Sequence, residues 1–444
     1  MRYFCEIKED EEVTLEKTAI ERKESLQGEA TVPGDKSISH RAIIIGSLAK
    51  GKTSIKGISK GDDNLRTMKA FQMMGVDMEE SEGESLIIHG KGLYGLAEPK
   101  NIIDAGNSGT TMRLLTGLLS GQKFFSVITG DSSLRKRPMK RVVEPLRSMG
   151  AKIWGRHEGE FAPLAINGTD LCPIDFLSPI TSAQMKSAIL LGGLYADGIT
   201  KVSEPRISRD HTERMLTFFG ADLKRENNAV SLTGRANLEA RDIEIPGDIS
   251  SAAFLMVAAL ITPNSEVLLK GVGINQTRTG VLDILKRMGA DIHVNNVYER
   301  WDEPAADISV RTSRLRGITI DGEMVPRAID EFPILSVAAS VAEGKTIIKD
   351  AQELRVKETD RIKAMADELR KFGVDVVEFD DGMAIIGRDD LKGCECYSHG
   401  DHRVAMSLLV AGLRASGKTI VQDTSCIRTS FPDFQDTLFS LIDS

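Results

Sequence analysis

The sequence predicts an α/β protein of two domains, each assembled from three copies of one strand–helix–strand–helix–hairpin unit. Three observations carry that prediction. A helix-then-strand pattern recurs six times along the 444 residues. Forty glycines, against 5% aromatic residues, mark many tight turns between short aliphatic elements. The composition, 41% apolar and 27% charged, is that of a globular chain with a sizeable core rather than a disordered one.

Each element follows from its own stretch of chain. The first copy runs HRAIIIGSLAKGKTSIKGI from His40: a polar start, an apolar helix, a small-residue stop and a short strand. The same order returns as MRLLTGLLSGQKFFSVITG from Met112, MKSAILLGGLYADGITKVSEP from Met185 and SSAAFLMVAALITPNSEVLLKGV from Ser250. It returns again as FPILSVAASVAEGKTIIKDA from Phe332 and HRVAMSLLVAGLRASGKTIVQD from His402. Behind each of the first five lies a second helix closing on glycine: LRTMKAFQMMG, RVVEPLRSMG, TERMLTFFG, GVLDILKRMG and RIKAMADELRKFG. Glycine there supplies the left-handed residue that ends a helix. The alternating run after it predicts a half-buried strand. The sixth copy lacks this second half and reads SFPDFQDTLFSLIDS instead. A unit of roughly 70 residues, repeated, accounts for the chain better than generic domains of about 150.

Three copies per domain place the break near Ile245-Pro246-Gly247. The strand GEATVPG (Gly28–Gly34) resembles RDIEIPG before copy four, and both lead into Asp. The first strand is therefore assigned to the C-terminal half. The expected domains are residues 35–246 and a discontinuous unit of 1–34 with 247–444.

Composition also excludes classes. A net charge of −8 argues against wrapping a nucleic acid. The longest apolar run, Ala252 to Ile261, is half of the roughly 20 residues a membrane helix needs. The start, MRYFCEIKEDEEVTLEK, is acidic and has no apolar core, so it reads neither as a secretory signal nor as a transit peptide. A cytoplasmic protein is expected; the charged segment Glu6 to Glu24 suggests no role. The cysteines (Cys5, Cys172, Cys394, Cys396 and Cys426) are too sparse for a disulfide framework. Cys394 and Cys396 have no second pair nearby to complete a metal site.

The residues before the six first helices are GDKSISHR, AGNSGTTMR, SPITSAQMK, PGDISSAAF, AIDEFP and SHGDHRVAM. Singly, each is a cap rich in Ser, Thr, Asp, Asn or Gly. Together they say more, because several carry a cation or amide in the first turns: Lys36, Arg41, Arg113, Gln184, Lys186 and Arg403. A helix N-terminus is already positive, so added cations there expect an anion. SLRKRPMKR and LRVKETDRIK add more cations, the second beside Glu358 and Asp360; carboxylates so placed are candidates for tuned acids or bases. A cationic cleft for small polyanions is the reading. GSLAKGKT from Gly46 and GLRASGKT from Gly412 match the phosphate-loop pattern in letters only. Both close a helix and open a strand, the reverse of a nucleotide site.

On PGDKSISHRA, DAGNSGTTMRLL, KRPM, SAQMKSA, RVKETDR, GDHRVAM and SFPDF, the chain resembles the 5-enolpyruvylshikimate-3-phosphate (EPSP) synthase family from about Gly28 onward. The resemblance implies a two-domain inside-out α/β barrel of six βαβαββ repeats, three per domain, with the active site in the cleft. It implies transfer of enolpyruvyl from phosphoenolpyruvate to the 5-hydroxyl of shikimate 3-phosphate by addition and elimination. It also implies a monomer with no metal or organic cofactor, and small-molecule substrates as the only partners.

Carried over by motif, Lys36 is expected between both substrates and in proton transfer. Ser37, Arg41, Ser182, Ala183, Gln184, Arg209, Asp330 and Lys357 are expected on shikimate 3-phosphate, with Arg41 on its carboxylate. Gly109, Arg137, Gln184, Arg361 and Arg403 are expected on phosphoenolpyruvate: Arg137 on its phosphate, the last two on its carboxylate. Asp330 is the expected base for the 5-hydroxyl, and Glu358 the proton donor.

Three positions depart from many members: Ser182-Ala183 where two serines are common, Leu114 after Arg113, and Thr429 beside Arg428 where a lysine is common. They suggest a second sequence class, in which Lys186 and Arg209 are expected to replace the lost phosphate contact. The sister enzyme acting on UDP-N-acetylglucosamine usually carries a cysteine in the mobile loop, and GDSSLRKRP has none. A non-catalytic anion-binding repeat protein would not need Asp330 and Glu358 beside lysines. With cations on both walls, the empty cleft is expected to repel itself and stand open.

Overall fold

The structure is a computed structural model describing residues 16–81 and 85–442; Cys5 and the acidic stretch before residue 16 lie outside them. Among the described residues, six small mixed sheets enclose six inner helices. The inner helices are Lys36–Leu48, Gly109–Ser120, Ala183–Gly193, Ile249–Ile261, Phe332–Ser340 and His402–Gly412. A helix apolar all round belongs inside, and every residue of Ile249–Ile261 is buried. The inner helices of repeats four, five and six touch one another, and that of repeat two packs on those of repeats one and three. Their contacts make two cores. One gathers apolar side chains from Ile38 to Ile245, the other from Ile20, Leu26, Ala30 and Ile249 to Leu441. Each buried Leu or Ile contributes about 1.5–3 kcal/mol before entropy is counted.

Repeat two shows the sheet pattern. Ile103–Asp104 runs parallel to Phe125–Thr129, which is antiparallel to Phe161–Asn167, which pairs with Lys152–Gly155. The outer helices Asp62–Met73, Lys140–Ser148, His211–Phe218, Gly280–Arg287 and Arg361–Lys371 are followed by Gly75, Gly150, Gly220, Gly289 and Gly373. All five have φ between 83° and 97°, the left-handed stop read from the sequence. The two phosphate-loop look-alikes do close a helix and open a strand, at Lys50–Lys56 and Lys418–Gln422.

Two strands change partners at the midline. Gln27–Thr31 joins the sheet of repeat four, parallel to Glu266–Gly273. Ile243–Glu244 returns to repeat one, parallel to Lys50–Lys56. The two crossing segments hydrogen-bond each other, Asp35 N to Pro246 O and Asp248 N to Pro33 O, both at 2.8 Å. The sixth repeat is completed by a strand from far away in sequence. Lys17–Glu21 lies antiparallel to Lys418–Gln422, which is parallel to Glu395–Tyr397. Among the described residues, no helix is long and apolar enough to cross a membrane.

Candidate active site

All six inner helices begin at one cavity of about 520 Å³. Lys36 and Ser37 come from the first, Gly109 and Thr110 from the second, and Ser182, Ala183 and Gln184 from the third. Asp248 precedes the fourth, Asp330 the fifth, and His402 and Arg403 open the sixth. Side-chain caps hold five of these ends: Asp35, Ser108, Ser182, Asp248 and Asp401 each accept a backbone N–H of the first turn. The cavity therefore faces free backbone donors as well as side chains.

On the wall formed by repeats one to three, arginines rest mainly on neutral oxygens. Arg41 donates to Thr212 Oγ1 (2.6 Å), Ser187 Oγ (2.8 Å) and Ser37 O (2.9 Å). Arg113 donates to Gln184 Oε1 at 2.6 Å and Pro138 O at 3.3 Å, and Arg137 donates to Asn107 Oδ1 at 2.5 Å. Burial pushes Arg41 down to about 10 and Arg113 to about 9. Lys36 Nζ lies 2.5 Å from Asp63 Oδ2. Burial raises the Asp63 carboxyl, and Lys36 only partly offsets it. A Cβ on Gly109 would sit 2.9 Å from the Arg113 guanidinium and 3.4 Å from that of Arg137, so a side chain there would push on both.

The opposite wall holds most of the lining carboxylates. Asp330 lies 2.5 Å from Arg209 and 3.5 Å from both Lys357 and Arg361, and its carbonyl accepts from Arg403 at 3.1 Å. Glu358 lies 2.7 Å from Arg361 and 3.5 Å from Arg137. Burial would raise both acids; the surrounding cations, Arg209 foremost for Asp330 and Arg361 for Glu358, hold both well below the ordinary range. Burial lowers the Lys357 ammonium, with Asp330 pulling against it.

The walls meet as ion pairs: Arg209 with Asp330, Arg137 with Glu358, and Arg141 with Glu353 at 3.0 Å. Ser133 Oγ donates to Glu358 O at 3.1 Å. At these three pairs a carboxylate of one wall faces a cation of the other. At the crossing, Arg278 joins the caps Asp35 (2.9 Å) and Asp248 (3.2 Å) of the first and fourth inner helices. Against burial, Arg278 brings Asp35 down to about 2.

Of the sequence-derived candidates, Lys36, Ser37, Arg41, Gly109, Arg137, Ser182, Ala183, Gln184, Arg209, Asp330, Lys357, Glu358 and Arg403 line the cavity. Arg361 does not: at 1% exposure it lies behind Glu358, gripped by Asp401 at 2.8 Å. Lys186, read as a phosphate contact, is sealed between Glu204 and Glu213 and does not reach the cavity. Thr429 and Arg428 are not among the lining residues either. Sequence reading missed Asp63, Arg278 and Asp401. The shared Pro-Gly-Asp before repeats one and four was a signal for a common partner of Asp35 and Asp248, but nothing local pointed to Arg278.

One group among the described residues has metal-like spacing: Asp210, His211 and Glu303. Its atoms are already engaged. His211 Nδ1 meets Glu303 at 2.6 Å, Asn275 donates to both acids, and Arg214 and Arg225 hold Asp210. Cys394 and Cys396 are free thiols with Sγ atoms 3.4 Å apart, outside the cavity.

The EPSP synthase (3-phosphoshikimate 1-carboxyvinyltransferase) family matches residues 20–438. The chain is 60% identical over 410 residues to the 3-phosphoshikimate 1-carboxyvinyltransferase of Geotalea daltonii, covering 92% of this chain and 95% of that one. It superimposes on EPSP synthase from Acinetobacter baumannii with a TM-score of 0.85 at 48% identity, over 96% and 98% of the two chains. It shares its fold with the enolpyruvyl transferase NikO of Streptomyces tendae, TM-score 0.74 at 17% identity, over 95% and 96% of the two chains. Six repeats, a cleft fed by six helix starts and a match along nearly the whole chain converge: this protein belongs to the EPSP synthase family, the 3-phosphoshikimate 1-carboxyvinyltransferases.

Proposed function

We propose how this cleft performs the 3-phosphoshikimate 1-carboxyvinyl transfer of its family, a step of the shikimate pathway toward aromatic amino acids. The 5-hydroxyl of shikimate 3-phosphate attacks the enol carbon of phosphoenolpyruvate, and its proton passes to Asp330. A proton reaches the methylene carbon from Glu358 or Lys36. The tetrahedral intermediate then loses phosphate and a methyl proton, which restores the vinyl group on the product. Arg41 takes the shikimate carboxylate. Ser37, Ser182, Gln184, Arg209 and Lys357 hold the rest of that substrate. Arg137 takes the phosphate of phosphoenolpyruvate over the bare floor at Gly109. Arg403 takes its carboxylate, a match of planar fork to planar anion. Arg361 joins it once Glu358 swings away, since Asp330, Glu358 and Asp401 otherwise engage it.

One observation carries this reading: two half-buried carboxylates, Asp330 and Glu358, sit among cations inside one cavity. A simple anion trap gains nothing from acids there. We further infer a second-class member, from Ser182-Ala183, Leu114 and Thr429, with Arg209 taking over the phosphate contact. The domains are read as 35–246 and 1–34 with 247–444, supported by the two separate cores and the two crossing segments. The enzyme is read as cytoplasmic and monomeric.

Phosphate release tests the assignment. The protein is mixed with phosphoenolpyruvate and either shikimate 3-phosphate or UDP-N-acetylglucosamine. Release with the first acceptor alone is expected. Release with only the second would overturn the reading.

A further inference from the structure

We infer that Lys186 is a positioning residue for the acceptor's phosphate pocket, acting from behind it through Glu204. This rests on the reading above, which puts shikimate 3-phosphate at Ser182 and Arg209.

Lys186 leaves the inner helix Ala183–Gly193 one turn after the cap Ser182 and points into the core. Its ammonium lies 3.0 Å from Glu204 and 2.7 Å from Glu213, and the three side chains are 4%, 2% and 1% exposed. A buried ammonium is costly unless paired, and here it is paired twice. Burial alone would lower it; the two carboxylates outweigh burial and raise it, so it stays charged at any working pH.

Glu204 uses its other capacity on the cavity rim. Oε1 accepts the backbone N–H of Ser182 at 2.7 Å, and Oε2 accepts the hydroxyl of Ser208 at 2.6 Å. Ser182 and Ser208 both line the cavity, and Ser208 immediately precedes Arg209. One carboxylate thus sets the spacing between the two segments that face the phosphate, and Lys186 pins that carboxylate.

Charge completes the argument. One lysine between two glutamates leaves a surplus negative charge. Arg41 answers it, since Glu213 is its leading electrostatic support. Arg41 is tied to the same helices through Thr212 and Ser187, whose hydroxyls lie 2.7 Å apart. Ser182, Ser208 and Arg41 are therefore governed by one buried group that touches no substrate.

Lys186→Met keeps the chain length and removes the charge. Its KM for shikimate 3-phosphate is expected to rise about tenfold or more, with kcat and the KM for phosphoenolpyruvate within about threefold. Lys186→Arg, which keeps the charge, should restore most of the loss. If Lys186→Met fails to fold, Lys186→Met with Glu213→Gln restores the surplus charge of the triad, and its acceptor KM should stay raised because Glu204 is still unpinned. A folded variant with unchanged acceptor KM, its loss confined to thermal stability, would overturn the inference. Arg209→Gln separates the two levels. Should it raise the KM of phosphoenolpyruvate and not of the acceptor, the site reading fails, whatever Lys186 does.

Discussion

The two walls of the cleft carry positive charge in opposite ways. On the side of repeats one to three, Arg41 and Arg113 are buried against hydroxyls, an amide and carbonyls, and their pKa values fall. On the other side Arg361 is at least as buried, yet Asp401 and Glu358 raise it. The hydrogen-bond partners of Arg41 and Arg113 are neutral, and the carboxylates that support them, Glu213 and Asp35 for Arg41 and Glu353 and Glu358 for Arg113, do not offset burial. The carboxylates in contact with Arg361 do. On the proposed reading, a polyanion adds a countercharge to the first wall and displaces carboxylates from cations on the second.

The sharpest way to break this comparison is Asp330→Asn. If the acid wall does chemistry, kcat for phosphate release falls by about 10²–10⁴ while both KM values change little. If Asp330 is only a counterion for Arg209, kcat stays near wild type. Applying one change to each wall comes next. Arg361→Gln strands Asp401, Glu358 and Asp330 and should cost about 3–5 kcal/mol of stability, read by denaturant titration. Arg41→Gln should leave the midpoint nearly unchanged and raise the acceptor KM by about 10–100-fold. Equal effects from the two would erase the distinction between the walls.

Much of this was legible because it is local. Caps, apolar helices and closing glycines each declare themselves within a few residues, so the repeats and the gathering of their helix starts at one site followed. Charge pairing is not local. Lys186 reads as an anion contact beside Gln184 until Glu204 and Glu213 arrive from other elements. Arg361 likewise reads as open until Asp401, 40 residues on, closes over it. Asp63 and Arg278 gave no signal because their partners, Lys36 and Asp35, are met only in the fold. The strand Lys17–Glu21 was hidden for the same reason, its mate lying some 400 residues away.

Acid sharpens the comparison from the stability side. Burial, then Lys36, pushes His402 on the cavity lining and His40 buried behind it well below 6.5. Below about 6.5 the unfolded imidazoles take protons and the folded ones do not, so stability falls as pH falls. Asp330 and Glu358 act in the same direction lower down. Their contribution is whole above the unfolded values of 3.8 and 4.5 and is lost as pH falls toward the folded ones. Calorimetry from pH 7 to 5 should show a falling midpoint, and His40→Gln should flatten the slope. An unchanged slope would remove His40 from the account.

The smallest expected effect tests where the walls touch. Arg141 and Glu353 form a part-exposed pair across the cleft mouth, 3.0 Å apart with 21% and 42% of their side chains exposed. Such a pair is worth about 0.2–1 kcal/mol, which corresponds to a factor of about 1.4–5 in the closed-to-open ratio. Arg141→Glu should therefore raise both KM values together by no more than about fivefold, since closure serves both substrates. The exchange Arg141→Glu with Glu353→Arg should return them to wild type. Added salt should shrink the single-mutant effect, because the pair is reached by solvent. A rise confined to phosphoenolpyruvate would instead make Arg141 part of the anion-binding wall, beside Arg113 and Arg137, and not a latch between the halves.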